Sequence, residues 1–266
     1  MPDALTQEVS ALLDRVAERA VLPRYQALAS HEIVEKKPGD LVTVADREAE
    51  AMLAEGLARI LPEATVVGEE ACHADPALAD RLGDALCWIV DPIDGTRNFA
   101  EGRAPFGLMI ALAERGVTQA GWIWDPLARR LCHAALGKGA YVNGERVTAR
   151  PTGEDPPLAA LAMGFMDEPK RHRIKRDVIP HYRLVEVPYC AAEQYPRLAL
   201  GINDVSLFER TLAWDHAAGA LWLNEAGGKC ARPDGSAYRV DEPSRKGLVG
   251  AASEALWVQL TALLTD

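Results

Sequence analysis

Basic residues are scarce in this chain: 29 Lys and Arg stand against 39 Asp and Glu, for a formal net charge of −10. Such a surface disfavours general binding to nucleic acid, although an acidic protein can still hold an anionic substrate where metal ions invert the local field. Long apolar runs are absent, and with them any helix able to span a bilayer. The start, Met1 to Glu8, has neither a basic head nor an apolar core, so no secretory leader is expected. The five cysteines are odd in number and scattered, with no C-x-x-C pair. That argues against a disulfide framework or a structural zinc site and favours a reducing cytoplasm. No repeat, low-complexity tract or long linker interrupts the 266 residues. We therefore expect one structural unit built from two packed halves, 1–150 and 151–266, meeting near the polar, proline-rich stretch 152–157.

What is present is an ordinary globular composition, 48 % apolar and 26 % charged. Val9, Leu12, Leu13, Val16, Ala20 and Val21 form a helical stripe from Leu5 to about Ser30. Lys36 to Gly39 reads as a turn, and a second helix is expected from Asp46 to Pro62. Thr65 to Glu70 reads as a strand ending in acids. Phe106–Ala113, Ala120–Trp124, Leu131–Ala135 and Gly139–Val142 read as a meander, with Asn143-Gly144 as a hairpin turn. A helix capped by Asp215 and closed by Gly227-Gly228 is expected in the second half.

The segment from Trp88 to Phe99 carries the most chemical information. Trp88-Ile89-Val90 suits a buried strand, which Pro92 and Gly95 should break, leaving Asp91 and Asp94 at one edge. Clustered carboxylates repel unless a cation lies between them, and hard oxygen ligands suit Mg2+. A helix beginning near Gly95 and Thr96 would turn free N–H groups toward an anion. Metal and phosphate would then share a pocket. Each acid taken alone has a plainer reading: Asp91 and Asp94 as turn residues, Glu69 and Glu70 as a solvated strand end, Asp46 and Asp215 as helix caps.

Taken in order, Gly68-Glu69-Glu70, then Asp91-Pro92-Ile93-Asp94-Gly95-Thr96-Arg97-Asn98-Phe99, then Trp214-Asp215-His216-Ala217-Ala218-Gly219 closely resemble the inositol monophosphatase family. The likeness extends to Asp40–Asp46, the Gly137–Gly144 hairpin and Glu225–Gly228. It implies an α/β fold, a layered αβαβα sandwich, and Mg2+-dependent hydrolysis of a small phosphate monoester by a homodimer. By the same resemblance Glu69, Asp91 and the Ile93 carbonyl would bind one metal, and Asp91, Asp94 and Asp215 a second. Asp46 and Thr96 would orient and deprotonate the attacking water, with Glu70 near that water and a weaker third metal. The N–H groups of Gly95 and Thr96 would hold phosphate oxygens. Inositol-1-phosphate is the default substrate, and lithium sensitivity would follow.

Two departures leave the alcohol half of the ester open. Pro188 to Tyr195 replaces the family's Gly-Ser/Thr-Ala stretch, and the segment before Trp214 is one residue short, placing Phe208 or Glu209 where an acidic sugar contact is usual. Glu193 could meet a substrate cation, as for histidinol phosphate, and Arg210 a second anion, as for 3'-phosphoadenosine 5'-phosphate. A sugar bisphosphatase or a regulatory, partner-binding protein on the same fold are further readings.

Overall fold

A computed structural model describes residues 4–37 and 40–264. The first apolar stripe forms the buried side of α1 (Ala4–Val16). The helix ends before Ser30, giving way to a π turn at Ala17–Val21 and a 3-10 turn at Leu22–Arg24, where Pro23 has no N–H to continue the ladder. A hairpin follows, β1 (Ile33–Lys37) with β2 (Asp40–Thr43). The Pro38-Gly39 part of its expected turn lies outside the described residues. Next come α2 (Val44–Ile60), β3 (Thr65–Gly68), α3 (Glu69–Ala74), β4 (Cys87–Asp94), α4 (Thr96–Ala100), β5 (Gly107–Glu114), β6 (Val117–Asp125), β7 (Arg130–Ala135), β8 (Gly139–Val142) and β9 (Glu145–Val147). The second half contains β10 (Leu158–Leu161), α5 (Glu168–Arg173), β11 (Arg183–Leu184), α6 (Ala191–Ala199), β12 (Val205–Phe208), α7 (Ala213–Glu225), β13 (Lys229–Ala231), β14 (Leu248–Ala251) and α8 (Glu254–Ala262).

Strands β3 to β9 form a seven-stranded sheet in chain order. Only β3 and β4 run parallel; the rest is the expected meander. Asn143 (φ 49°) and Gly144 (φ 83°) supply the two left-handed residues that a tight β8–β9 hairpin needs. Side chains alternate across the sheet, as a period of two requires. Trp88, Val90, Leu108, Ile110 and Trp122 pack with α1 and α2. Ile89, Met109, Ala111 and Ile123 face the other way, onto α6 and α7. Trp88 and Trp122 tilt at 47° with centroids 5.9 Å apart, a pairing worth about 0.5–1.5 kcal/mol beyond the area buried.

A second sheet has the order β11-β10-β12-β14-β13. Its Leu248 and Cys230 join the α6–α7 core, whereas Ala159, Val205, Leu207 and Val249 pack under α8 and the helical turn carrying Ile174 and Val178. The layers are therefore helices, sheet, helices, sheet, helices, the αβαβα sandwich that the family resemblance implies. The central layer is tight. A Cβ on Gly121 would lie 2.7 Å from Ala218 Cα, and one on Gly219 only 2.0 Å from Tyr195 Cδ2. α7 is buried continuously from His216 to Leu223, consistent with the apolar run Ala217–Leu223.

Candidate active site

Asp91 and Asp94 are three positions apart on β4, and a regular strand would send them to opposite faces. The pairing with β5 prevents this. Asp91 lies opposite Met109 and Asp94 opposite Gly107, so three steps on β4 match two on β5. Such a bulge re-aims the side chains that follow it, and Pro92 is tolerated there because no ladder donor is needed. The expected break at Pro92 is thus corrected: β4 runs on to Asp94. Gly95 then turns the chain into α4 with φ 82°. A Cβ at that position would meet Pro105 O at 2.9 Å.

Elements distant in sequence hold this edge in place. The Ala192 N–H donates to Asp94 Oδ2 at 2.6 Å, and Cys190 Sγ lies 3.7 Å from Asp94 O. Asn98 Nδ2 donates to Pro105 O at 2.8 Å and to Pro188 O at 3.0 Å. The start of α6 is thereby tied to the end of β4.

Asp46 approaches from α2. It is not the helix cap that the sequence suggested: Thr43 is the N-cap, and Asp46 sits in the first turn, closing a capping box. Its Oδ2 accepts from Thr43 N at 2.7 Å and Thr43 Oγ1 at 2.6 Å. Its Oδ1 faces Thr96 Oγ1 at 3.4 Å, and that hydroxyl donates to Ile93 O at 2.9 Å. Asp46 and Thr96 are therefore paired, and the Ile93 carbonyl belongs to the same group. Burial pushes the Asp46 carboxyl up to about 7 despite the opposing Thr43 hydrogen bonds.

Glu69 and Glu70 open α3 instead of ending a strand, because β3 stops at Gly68. Lys36 Nζ, on the hairpin, bridges them at 3.1 Å from Glu69 Oε1 and 2.8 Å from Glu70 Oε1. Burial alone would lower the Lys36 ammonium, but the two carboxylates outweigh it and raise it. Glu69 is nevertheless pushed up to about 8, first by burial, then by Asp215. Burial and the repulsion of Glu69, Asp94, Asp215 and Asp46 hold Asp91 well above the carboxylate range. Burial also raises Asp94, against the N–H groups of Ala192, Ala191 and Gly95. Asp215 lies in the first turn of α7, whose N-cap is Leu212, so the expected capping role is corrected.

The structure thus brings Asp46, Glu69, Glu70, Asp91, Asp94 and Asp215 into one electrostatic neighbourhood. Asp91 is 1 % exposed, and its Oδ1 has no hydrogen-bond partner. Leaving such an atom unsatisfied costs about 1–3 kcal/mol or more. Buried, mutually repelling oxygen donors fit a hard divalent cation. Among the described residues, no three of these side chains close round one point as a finished coordination cage does. The fit therefore rests on donor chemistry and charge.

The specificity candidates are placed differently. Both Glu193 oxygens are already paired, Oε2 with Arg130 at 2.5 Å and Oε1 with Arg197 at 2.8 Å. A substrate cation would have to compete with two guanidiniums. Glu209 is buried against Lys170 at 2.5 Å. Arg210 stands at the rim, its Nη2 3.6 Å from Asp215 Oδ2 and its Cζ 4.5 Å above the exposed Phe165 ring. His216 is structural: Nδ1 lies 2.9 Å from Tyr195 Oη and Nε2 3.0 Å from Arg210 O. Burial lowers it to about 3, so it stays neutral. Lys36 was missed from the sequence, where nothing local ties it to acids so far along the chain.

Fold and acidic edge together are those of the layered α/β sandwich class that includes the inositol monophosphatases. The chain belongs to the inositol monophosphatase family, whose model matches residues 4–265. It is 35 % identical over 200 residues to inositol-1-monophosphatase SuhB of Mycobacterium tuberculosis, covering 72 % of this chain and 68 % of that one. It is 33 % identical over 204 residues to the Nus factor SuhB of Vibrio cholerae, covering 74 % and 73 %. Among solved structures, the extragenic suppressor protein suhB of Bartonella henselae superposes with a TM-score of 0.82 at 27 % identity, over 99 % of both chains.

Proposed function

We propose that this protein is a Mg2+-dependent phosphatase acting on a small phosphate monoester of the inositol-1-phosphate type. The observation that carries the reading is Asp91: a fully buried carboxylate, one oxygen unpartnered, beside four further acids that repel it. Glu69, Asp91 and the Ile93 carbonyl would hold one ion, and Asp91, Asp94 and Asp215 another, with Glu70 beside a weaker third. Bound there, the ions would acidify a water and offset negative charge on the phosphate and the leaving oxygen.

The protein's own groups then do the following. Asp46 and Thr96 orient the water, and Asp46, whose burial favours its protonated form, accepts the proton. The Gly95 and Thr96 N–H groups hold phosphate oxygens. Glycine at position 95 gives the left-handed turn that starts α4 and leaves room for Pro105 O and Cys190 beside it. The reading includes a homodimer in a reducing cytoplasm, in keeping with five buried, unpaired thiols.

A second reading of specificity is favoured by Arg210. Its guanidinium, at the rim beside Asp215, suits an ester whose alcohol half carries another anionic group, as in 3'-phosphoadenosine 5'-phosphate. Histidinol phosphate is less well served, because Glu193 is already neutralised by Arg130 and Arg197. The test is phosphate release across inositol-1-phosphate, histidinol phosphate, 3'-phosphoadenosine 5'-phosphate and fructose-1,6-bisphosphate, with Mg2+ or EDTA, for wild type and Asp94→Asn. Mg2+-dependent release by wild type, lost in a folded Asp94→Asn, is the expected result. No release from any ester would move the reading to a regulatory, partner-binding role.

A further inference from the structure

The buried side of α2 carries two carboxylates one helical turn apart, Asp46 at 1 % exposure and Glu50 at 9 %. Asp46 has a role in the proposed chemistry; Glu50 has none. Its Oε2 accepts from Glu70 N at 2.8 Å and its Oε1 from Ala71 N at 2.9 Å. These N–H groups belong to the first turn of α3, where a helix has no internal acceptors. The N-cap residue of α3 is Gly68, which has no side chain to supply one. Glu50 therefore caps α3 from another element, and the residues it fixes are the acidic pair itself.

Gly68 shows how close this contact is. A Cβ there would fall 2.3 Å from Glu50 Cδ and 2.4 Å from Glu50 Oε2. The backbone is ordinary at φ −105°, so glycine is needed for the close approach of Glu50 and not for a left-handed turn. α3 is only six residues long, and so short a helix does not hold its first turn unaided. Glu50 and Lys36 thus grip the Glu69-Glu70 pair from two sides, one at the backbone and the other at the carboxylates.

We propose that Glu50 is a positioning residue for the metal site: by capping α3 it holds Glu69 and Glu70 toward Asp91, Asp215 and Asp46, and without it the site binds a divalent cation weakly. This rests on the metal reading proposed above. Glu50 itself contributes no ligand, since both its oxygens are spent on N–H groups.

The test is Mn2+ binding, followed by the electron paramagnetic resonance of the free ion, on wild type, Glu50→Gln and Gly68→Ala, with thermal unfolding of each in EDTA. Glu50→Gln keeps the volume but opposes an amide NH2 to a backbone N–H. Gly68→Ala pushes the same carboxylate away from the other side. Each should weaken Mn2+ binding by about 10–100-fold, the usual cost of losing a group that orients a metal ligand. The Mg2+ concentration for half-maximal phosphate release should rise in step, with less change in the KM for the ester. In the double variant the losses should not add, because both act through one contact. Wild-type Mn2+ affinity in either folded variant, with only the melting temperature lowered, would overturn the proposal. Failure of wild type to bind Mn2+ would instead remove the metal reading and this inference with it, a result visible before any substitution is made.

Discussion

Replacing Asp91 by Asn should make the protein more stable in EDTA while abolishing its response to Mg2+. Asp91 is buried, repelled by Glu69, Asp94, Asp215 and Asp46, and held well above the ordinary value of 3.8. In the unfolded chain it ionises freely. Keeping it protonated in the fold at pH 8 therefore costs at most about 6 kcal/mol, that is, 1.36 kcal/mol for each pH unit above 3.8. An Asn of the same shape escapes this cost, so the gain in stability lies between zero and that bound. For a chain of this size each kcal/mol of that gain raises the melting temperature by about 2–4 °C.

The pH dependence has a definite sign. Asp46, ordinarily 3.8 and pushed to about 7, and Glu69, ordinarily 4.5 and pushed to about 8, bind protons more tightly folded than unfolded. Their contribution is complete below about pH 4 and is lost as pH rises toward 8. Wild type in EDTA should thus lose stability across that window. The advantage of Asp91→Asn should shrink at pH 5, where the bound falls to about 1.6 kcal/mol. Differential scanning fluorimetry at both pH values, in EDTA and in saturating Mg2+, reads all four conditions. A variant that melts below wild type in EDTA at pH 8 would refute the view that this edge is strained by its own charge.

Three further outcomes are expected. Arg210→Ala should raise KM about tenfold for esters carrying a second anionic group, the loss of roughly 1.4 kcal/mol, and leave the KM for inositol-1-phosphate unchanged; equal effects on both would remove Arg210 from specificity. Gly219→Ala should destabilise by about 1–3 kcal/mol or more, because its Cβ would enter the fully buried Tyr195 ring; a urea midpoint like that of wild type would mean that α6 and α7 can part. Li+ should inhibit phosphate release by competing for the weaker Mg2+ position, and turnover insensitive to Li+ at saturating substrate would count against that position.

What the sequence shows of the site is spacing; what it hides is partnership across the chain. The ordered acids and the meander are legible because each is a local pattern. Glu50 is not, because its partners, the Glu70 and Ala71 N–H groups, belong to another helix. Lys36 is hidden for the same reason. Glu193 shows the converse: an acid in a suggestive place whose charge is taken up by Arg130 and Arg197. Asp46 and Asp215 each sit in a first turn instead of at a cap, a shift of a few residues that propensity cannot resolve.

The bulge on β4 makes chain length itself a functional variable. Adding or removing one residue between Asp91 and Gly95 would reverse the parity of everything after it, turning Asp94 away from Asp91 with no chemical group altered. The same change in the surface turn between β6 and β7, residues 126–129, would be absorbed as a longer loop. A library of single-residue insertions and deletions should therefore find β4 intolerant of any count but its own, while that turn accepts several.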